Sequence, residues 1–296
     1  MPPLDWVTQN VRSDIEVFAR AYWEGSYSED NFVIALSGYN AFFDRSADHD
    51  LQSVGGTVVA GFVSTVEQWA LWEKDWKAVL DEFHVRYFHM REFNSYNGEF
   101  TDSKWREELH RRYFVASLAA TIKNWAVASI ADYMDHQIYR DANKLCETDK
   151  IFNPYVECGR NCALHTQDFI RNKVKSDLPI SYVFERGDEG VGMLMDFMER
   201  CNLPCPTFKR PRVNPQNPDL DREDPPMIQL QAADLLAWEI RRWKNDYRNG
   251  AKMRQSMKAF CGLEQNIWKE CTYTDMARLI RSAGIPRRGQ NVEQES

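Results

Sequence analysis

One segment constrains this chain more than any other: Met227 to Ile240, MIQLQAADLLAWEI. Its apolar residues Ile228, Leu230, Leu235, Leu236, Trp238 and Ile240 recur at helical spacing, with small Ala232, Ala233 and Ala237 between them, so the segment predicts a helix buried on most sides. Gln229, Gln231, Asp234 and Glu239 are set into it. Asp234 is the odd member, because no basic residue stands three or four positions away on either side. An ionised carboxylate is costly to bury unless a metal or a polar cleft receives it. The alternative is a carboxylate at the helix edge, reaching solvent or a distant arginine.

A chain of 296 residues, 43% hydrophobic and 27% charged, can bury a full core as one large domain or two smaller ones. No run approaches the roughly 18 apolar residues of a membrane span, and the opening MPPLDWVTQNVRSD lacks the basic head and apolar run of a secretion signal. Seven cysteines without a small-disulfide pattern suit a reducing cytoplasm, which is the expected location. The net charge of -7 argues against a surface coated for nucleic acid. Residues 209 to 288, however, carry 16 Lys/Arg against 10 Asp/Glu. That basic third suits either a phosphate-facing surface or a set of solvated helix faces.

The pattern along the chain predicts an N-terminal helical extension over 1–30, one domain over 31–288 and a disordered tail over 289–296. The extension, with Ile15, Val17, Phe18 and Tyr22 behind a Ser13-Asp14 cap, is a candidate arm for a protein partner or a homodimer. Phe32 to Leu36, FVIAL, reads as a buried strand stopped by Ser37-Gly38. A loop with Asp44, Asp48 and Asp50 follows, then a second strand from Gly55 to Val63. Thr65 caps a helix whose Trp69, Trp72 and Trp76 form a core stripe. Tyr87 to Phe93 reads as a brief strand running into a turn, with His89 and Glu92 where the strand ends. Trp125 to Ile130 is a further strand, and 132–175 is mostly helical.

Cys158 and Cys162, like Cys201 and Cys205, stand four apart; structural zinc sites usually use a two-residue gap, so zinc is not expected. Ile180 to Phe184 is a clear strand that delivers Glu185 and Asp188 into a glycine-rich turn, and strand ends in α/β sheets are where ligands and metals collect. A turn-forming Asp-Glu-Gly without chemistry is the other reading. Pro204 to Pro226 is a proline-rich loop with Lys209, Arg210 and Arg212.

Strands and helices thus alternate without a phosphate-binding glycine loop, a nucleophile elbow or a kinase motif set. What remains is a dispersed set of carboxylates, Glu185, Asp188 and Asp234, with Glu92 and His89 as outliers. Oxygen ligands of this kind suit Mg²⁺ or Mn²⁺, which can activate water against a phosphodiester.

These segments resemble the domain-of-unknown-function 3800 family of the RNase H-like superfamily. The likeness spans about Ile34 to Ser256. It is carried by the opening strand with Ser37-Gly38, Val59-Ala-Gly-Phe-Val with the Trp69/Trp76 helix, Tyr87 to Phe93, Asn153-Pro-Tyr, Phe184-Glu-Arg-Gly-Asp and Gln231-Ala-Ala-Asp-Leu-Leu-Ala. It implies an α/β fold, an RNase H-like central mixed sheet flanked by helices with helical insertions, and a metal-dependent nuclease site. In that family the first strand ends in Asp-x-Ser-Gly, whose Asp leads the metal ligands; here Ala35-Leu36-Ser37-Gly38 stands in that place.

Three explanations compete: an Asp→Ala knockout, a natural pseudo-enzyme, or a ligand supplied by Asp44. The intact Glu185, Asp188 and Asp234 favour the knockout. The expected roles follow. Ala35 marks the lost ligand, Glu185, Asp188 and Asp234 hold the metal, and His89 and Glu92 line the cleft. Lys209, Arg210, Arg212 and Ser37 meet a nucleic-acid substrate. The rivals are a non-catalytic module binding nucleic acid or protein, and a hydrolase of small phosphate esters.

Overall fold

The structure, a computed structural model, describes residues 38–48, 51–52, 54–144, 153–212 and 226–282. Six strands form one mixed sheet: β1 (Tyr39–Ala47), β2 (Gly56–Thr65), β3 (Ala128–Asp135), β4 (Ile180–Glu185), β5 (Thr207–Lys209) and β6 (Asn266–Cys271), in the spatial order β5-β4-β1-β2-β3-β6. β1, β2 and β3 form an antiparallel meander. β4 joins β1 in parallel on its other side, β5 extends that edge in parallel, and β6 lies parallel to β3 at the far edge. The arrangement is an α/β sheet flanked by helices, consistent with the RNase H-like fold expected.

β2, GTVVAGFVST, is buried along nearly its whole length, and a strand buried on both faces needs helices on both. One face is covered by α1 (Val66–Glu82), α2 (Met90–Ser95), α3 (Glu108–Trp125), α7 (Gln229–Arg248) and α8 (Gln255–Cys261). The other is covered by α4 (His136–Lys144), α5 (Pro154–Phe169), α6 (Val191–Arg200) and α9 (Tyr273–Ser282). α1 starts where predicted: the Thr65 hydroxyl accepts from the Gln68 N–H, and Gln68 reaches back to the Thr65 N–H. Its Trp69, Trp72 and Trp76 are fully buried, packed ring against ring. They are core, as read.

The structure corrects four sequence expectations. The strand between β2 and β4 is Tyr39–Ala47, so Asp44 lies in the central strand and not in a loop. Residues 32–36, with Ala35, and Ser37 fall outside the described residues, as do the N-terminal extension and the tail. Tyr87–His89 forms no strand. The Phe88 N–H donates to Gln231 Oε1 at 2.9 Å and the Met90 N–H to Asp234 Oδ2 at 2.6 Å, so side chains of α7 take the place of a neighbouring strand. The third strand runs over 128–135 rather than 125–130, and the proline-rich loop contains β5.

α7 is strapped along β1. Arg241 donates to Ser46 Oγ at 2.9 Å and pairs with Asp48 at 2.6 Å, while the Gly56 N–H donates to the same Asp48 carboxylate. No helix among the described residues is long and apolar enough to cross a membrane.

Candidate active site

Strand alternation decides which side chains meet. Phe42 of β1 and Val183 of β4 face the α7 side of the sheet, so Asp44 and Glu185, two residues further along each strand, face it too. β1 and β4 are parallel, with Phe43 in register with Phe184, so Asp44 and Glu185 lie side by side at the same strand end. α7 crosses that end and presents Asp234. Asp188 follows in the turn after β4, where it pairs with Arg45 at 2.6 Å.

Four carboxylates therefore crowd one end of the sheet, and each is shifted upward. Burial, then the charges of Glu185 and Asp234, raise Asp44 well above the ordinary carboxylate range. Burial raises Glu185, which shares a hydrogen bond with Asp44, and Asp188 adds to the rise. Burial raises Asp188 although Arg45 pulls the other way. Asp234 is pushed up to about 6 by burial, with Glu185 adding; His89 and the Met90 N–H oppose the shift. Like charges crowded in a low-dielectric setting behave this way, and functional sites are where such crowding is usually tolerated.

Beside them stands a braced pair. Glu92 receives Arg212 at 2.6 Å and the Tyr87 hydroxyl at 2.8 Å, and the Arg212 guanidinium lies over the Tyr87 ring. Burial would raise the Glu92 carboxyl, but Arg212 and Tyr87 outweigh it and hold it low. Glu92 is thus already satisfied. His89, the residue before α2, places its buried Nδ1 3.5 Å from Glu92 Oε1 without a hydrogen bond. Gln231 ties the neighbourhood together, accepting from Trp76 Nε1 and the Phe88 N–H while donating to the Pro211 carbonyl at 2.8 Å.

Of the residues expected at the site, the structure brings together Glu185, Asp188 and Asp234, with His89 and Glu92 at their side. The basic candidates fare differently. Lys209 is 6% exposed, in register with Glu185 on the adjoining strand, so it is not a surface phosphate contact. Arg210 is half-buried, and Arg212 is engaged with Glu92. On α7, Arg241 and Arg248 pair with Asp48 and Asp135 from outside the C-terminal third, while Arg242 and Lys244 pair with Asp246 and Glu270 within it, so these four cations are engaged in ion pairs.

Asp44 is the residue that sequence reasoning placed wrongly. Its signal was present, because Asp44-Arg45-Ser46 reads Asp-x-Ser, the pattern expected nine residues earlier at Ala35. The place of Asp44 beside Glu185 is what the third explanation, a ligand supplied by Asp44, requires.

The donors fit a hard divalent cation in chemistry, being all carboxylate oxygen. As they stand, no three His, Cys, Asp or Glu side chains among the described residues are arranged to hold one. Asp44 and Glu185 instead satisfy each other. Cys158 and Cys162 are buried under the sheet, their thiols directed to the Thr57 and Val59 carbonyls, as small core residues. No protein-family model, curated protein or solved structure matches the chain.

Proposed function

We propose that this chain is a metal-dependent nuclease of the RNase H-like type, akin to the domain-of-unknown-function 3800 family. The supporting observation is the crowding of Asp44, Glu185, Asp188 and Asp234 at one strand end. Four mutually repelling carboxylates lower the stability of the fold, and a site for a hard cation gives that arrangement a use. Asp44, Glu185 and Asp234 would hold Mg²⁺ or Mn²⁺, with the Asp44–Glu185 hydrogen bond opening to free their oxygens. The cation supplies activation of water and relief of charge on the departing oxygen.

The remaining residues position and shuttle. Asp188, fixed by Arg45, orients water through its free oxygen. His89 stands between Asp234 and Glu92 and is placed to move a proton. Arg212, held over Tyr87 by Glu92, borders the site from the loop after β5 and presents positive charge to a phosphate backbone.

A second reading is favoured by one observation: no three of the acids are arranged for an ion as they stand. On that reading the chain is a non-catalytic module holding nucleic acid. Cleavage of labelled single- and double-stranded DNA and RNA in Mn²⁺ separates the two. The nuclease reading expects cutting that falls about a hundredfold or more in Asp44→Asn, and no gain from Ala35→Asp. Salt-sensitive binding without cutting in any of the three chains would leave the binding module standing.

A further inference from the structure

A cavity of about 540 Å³ opens among α2, α3, α7 and α8, sharing Met90 with the carboxylate site but none of its four acids. Its volume falls within the range of small-molecule sites. One wall carries Glu239 of α7, which is 1% exposed yet has neither carboxylate oxygen in a hydrogen bond of normal geometry. The nearest cation, Arg254, is 3.8 Å away, and Arg254 and then the Ser256 hydroxyl favour the charged form. Burial raises the Glu239 carboxyl, and those two neighbours do not reverse it. A buried carboxylate whose oxygens lack well-formed hydrogen bonds is costly, so its retention inside a cavity points to a ligand that brings further donors.

The rest of the lining narrows what that ligand is. Met90, Phe93, Val115 and Met253 form apolar walls suited to a flat ring. Two arginines are held at the cavity by aromatic faces: Arg111 over Phe93 at 3.9 Å, and Arg254 over Trp238 at 5.0 Å. Burial lowers the hold of Arg111 on its proton, Tyr96 opposes that, and Arg254 stands close enough to lower it further. The lining therefore carries Arg111, Arg112 and Arg254 against Glu108 and Glu239, and a ligand bearing an anionic group is attracted to it.

We propose that this cavity is a second, separate site that takes a guanine nucleotide. Among the bases, guanine presents two adjacent N–H groups, N1–H and N2–H₂, that a single carboxylate accepts in parallel. Adenine and cytosine set a ring acceptor beside their amino group, which a carboxylate repels. Glu239 receives the guanine edge, the apolar walls take the ring, and Arg111 and Arg254 receive the phosphate. A guanidinium ligand offers a similar donor fork but brings positive charge to three arginines.

The assignment is independent of the nuclease reading, because it requires no divalent ion. Titration calorimetry in a chelator, with guanosine monophosphate, adenosine monophosphate, guanosine and arginine amide as probes, tests it. Guanosine monophosphate is expected to bind, with adenosine monophosphate weaker by about tenfold or more. Glu239→Gln keeps the side-chain shape, and an unchanged melting temperature verifies its fold; it should erase the guanine preference. Arg254→Ala should weaken guanosine monophosphate while leaving guanosine unchanged. Asp44→Asn should bind the nucleotide as the parent does, so loss of cleavage and loss of nucleotide binding are told apart. Equal binding of the two nucleotides, no binding of either, or tighter binding of arginine amide would each overturn the proposal.

Discussion

Asp234 is held in an environment that resists its charge. Its carboxyl is pushed up to about 6 by burial and by Glu185 against the pull of His89 and the Met90 N–H. A carboxyl raised in the folded state contributes its stability when protonated, below the unfolded value near 4, and that stability is lost as pH climbs from about 4 to 6. Above pH 6 the ionised group is a net cost. Asp234→Asn keeps an acceptor for Met90 and removes the charge, so we expect a gain of about 1–2 kcal/mol at pH 7.5, discounted for the partial exposure of the side chain. Urea unfolding at pH 7.5 and pH 4.5 checks it: the gain should shrink at the lower pH, and a loss at pH 7.5 would contradict the assignment of strain to this residue. Gln231 plays the opposite part, satisfying the Phe88 N–H, the Trp76 indole and the Pro211 carbonyl at once. Gln231→Ala leaves these without a partner and should lower stability by about 3 kcal/mol, with faster amide exchange at Phe88 as the local sign.

Among the elements, β1 holds Asp44 and is packed against β2 with no room for a side chain at Gly61. A Cβ there would overlap the Phe42 carbonyl oxygen of the paired strand, with the Phe43 ring also near. The strands cannot part at the middle of a sheet, so Gly61→Ala should cost roughly 3 kcal/mol or more and shift the end of β1 that holds Asp44. A fall in the urea midpoint, accompanied by loss of cleavage, is the expected outcome; a midpoint unchanged from the parent would mean that the two strands are free to separate. At this scale the sequence was informative where a pattern was local. The Thr65 cap, the tryptophan helix, the Ile180 strand and the Asp234 helix were all read from spacing alone. Tyr87 to His89 looked like a strand because its residue types suit one, but strand formation needs a partner edge, and α7 side chains supplied the bonds instead.

Across the whole molecule, the carboxylate site joins segments from residues 44 to 234, and the proposed cation should couple to global stability. Mn²⁺ at about a hundredfold its Kd should stabilise the fold by about 2.7 kcal/mol. That effect should fade as pH drops through 6, because protons hold the raised carboxylates against the metal. Thermal melts with and without Mn²⁺ at pH 7.5 and 5.5 measure it, and an equal shift in Asp44→Asn would place the ion elsewhere. By itself the amino-acid sequence determined the class of fold, the buried helix with its misplaced acid, and three of the four carboxylates. Local periodicity and strand-end position reveal those. Only the tertiary structure decided that Asp44 joins the group, that Lys209 is buried and that Arg212 is braced by Glu92 at the edge of the site. Those outcomes depend on which strand occupies the centre of the sheet and which face each side chain takes, and the place of Asp44 in a central strand rather than a loop is invisible until that strand's partners are in place.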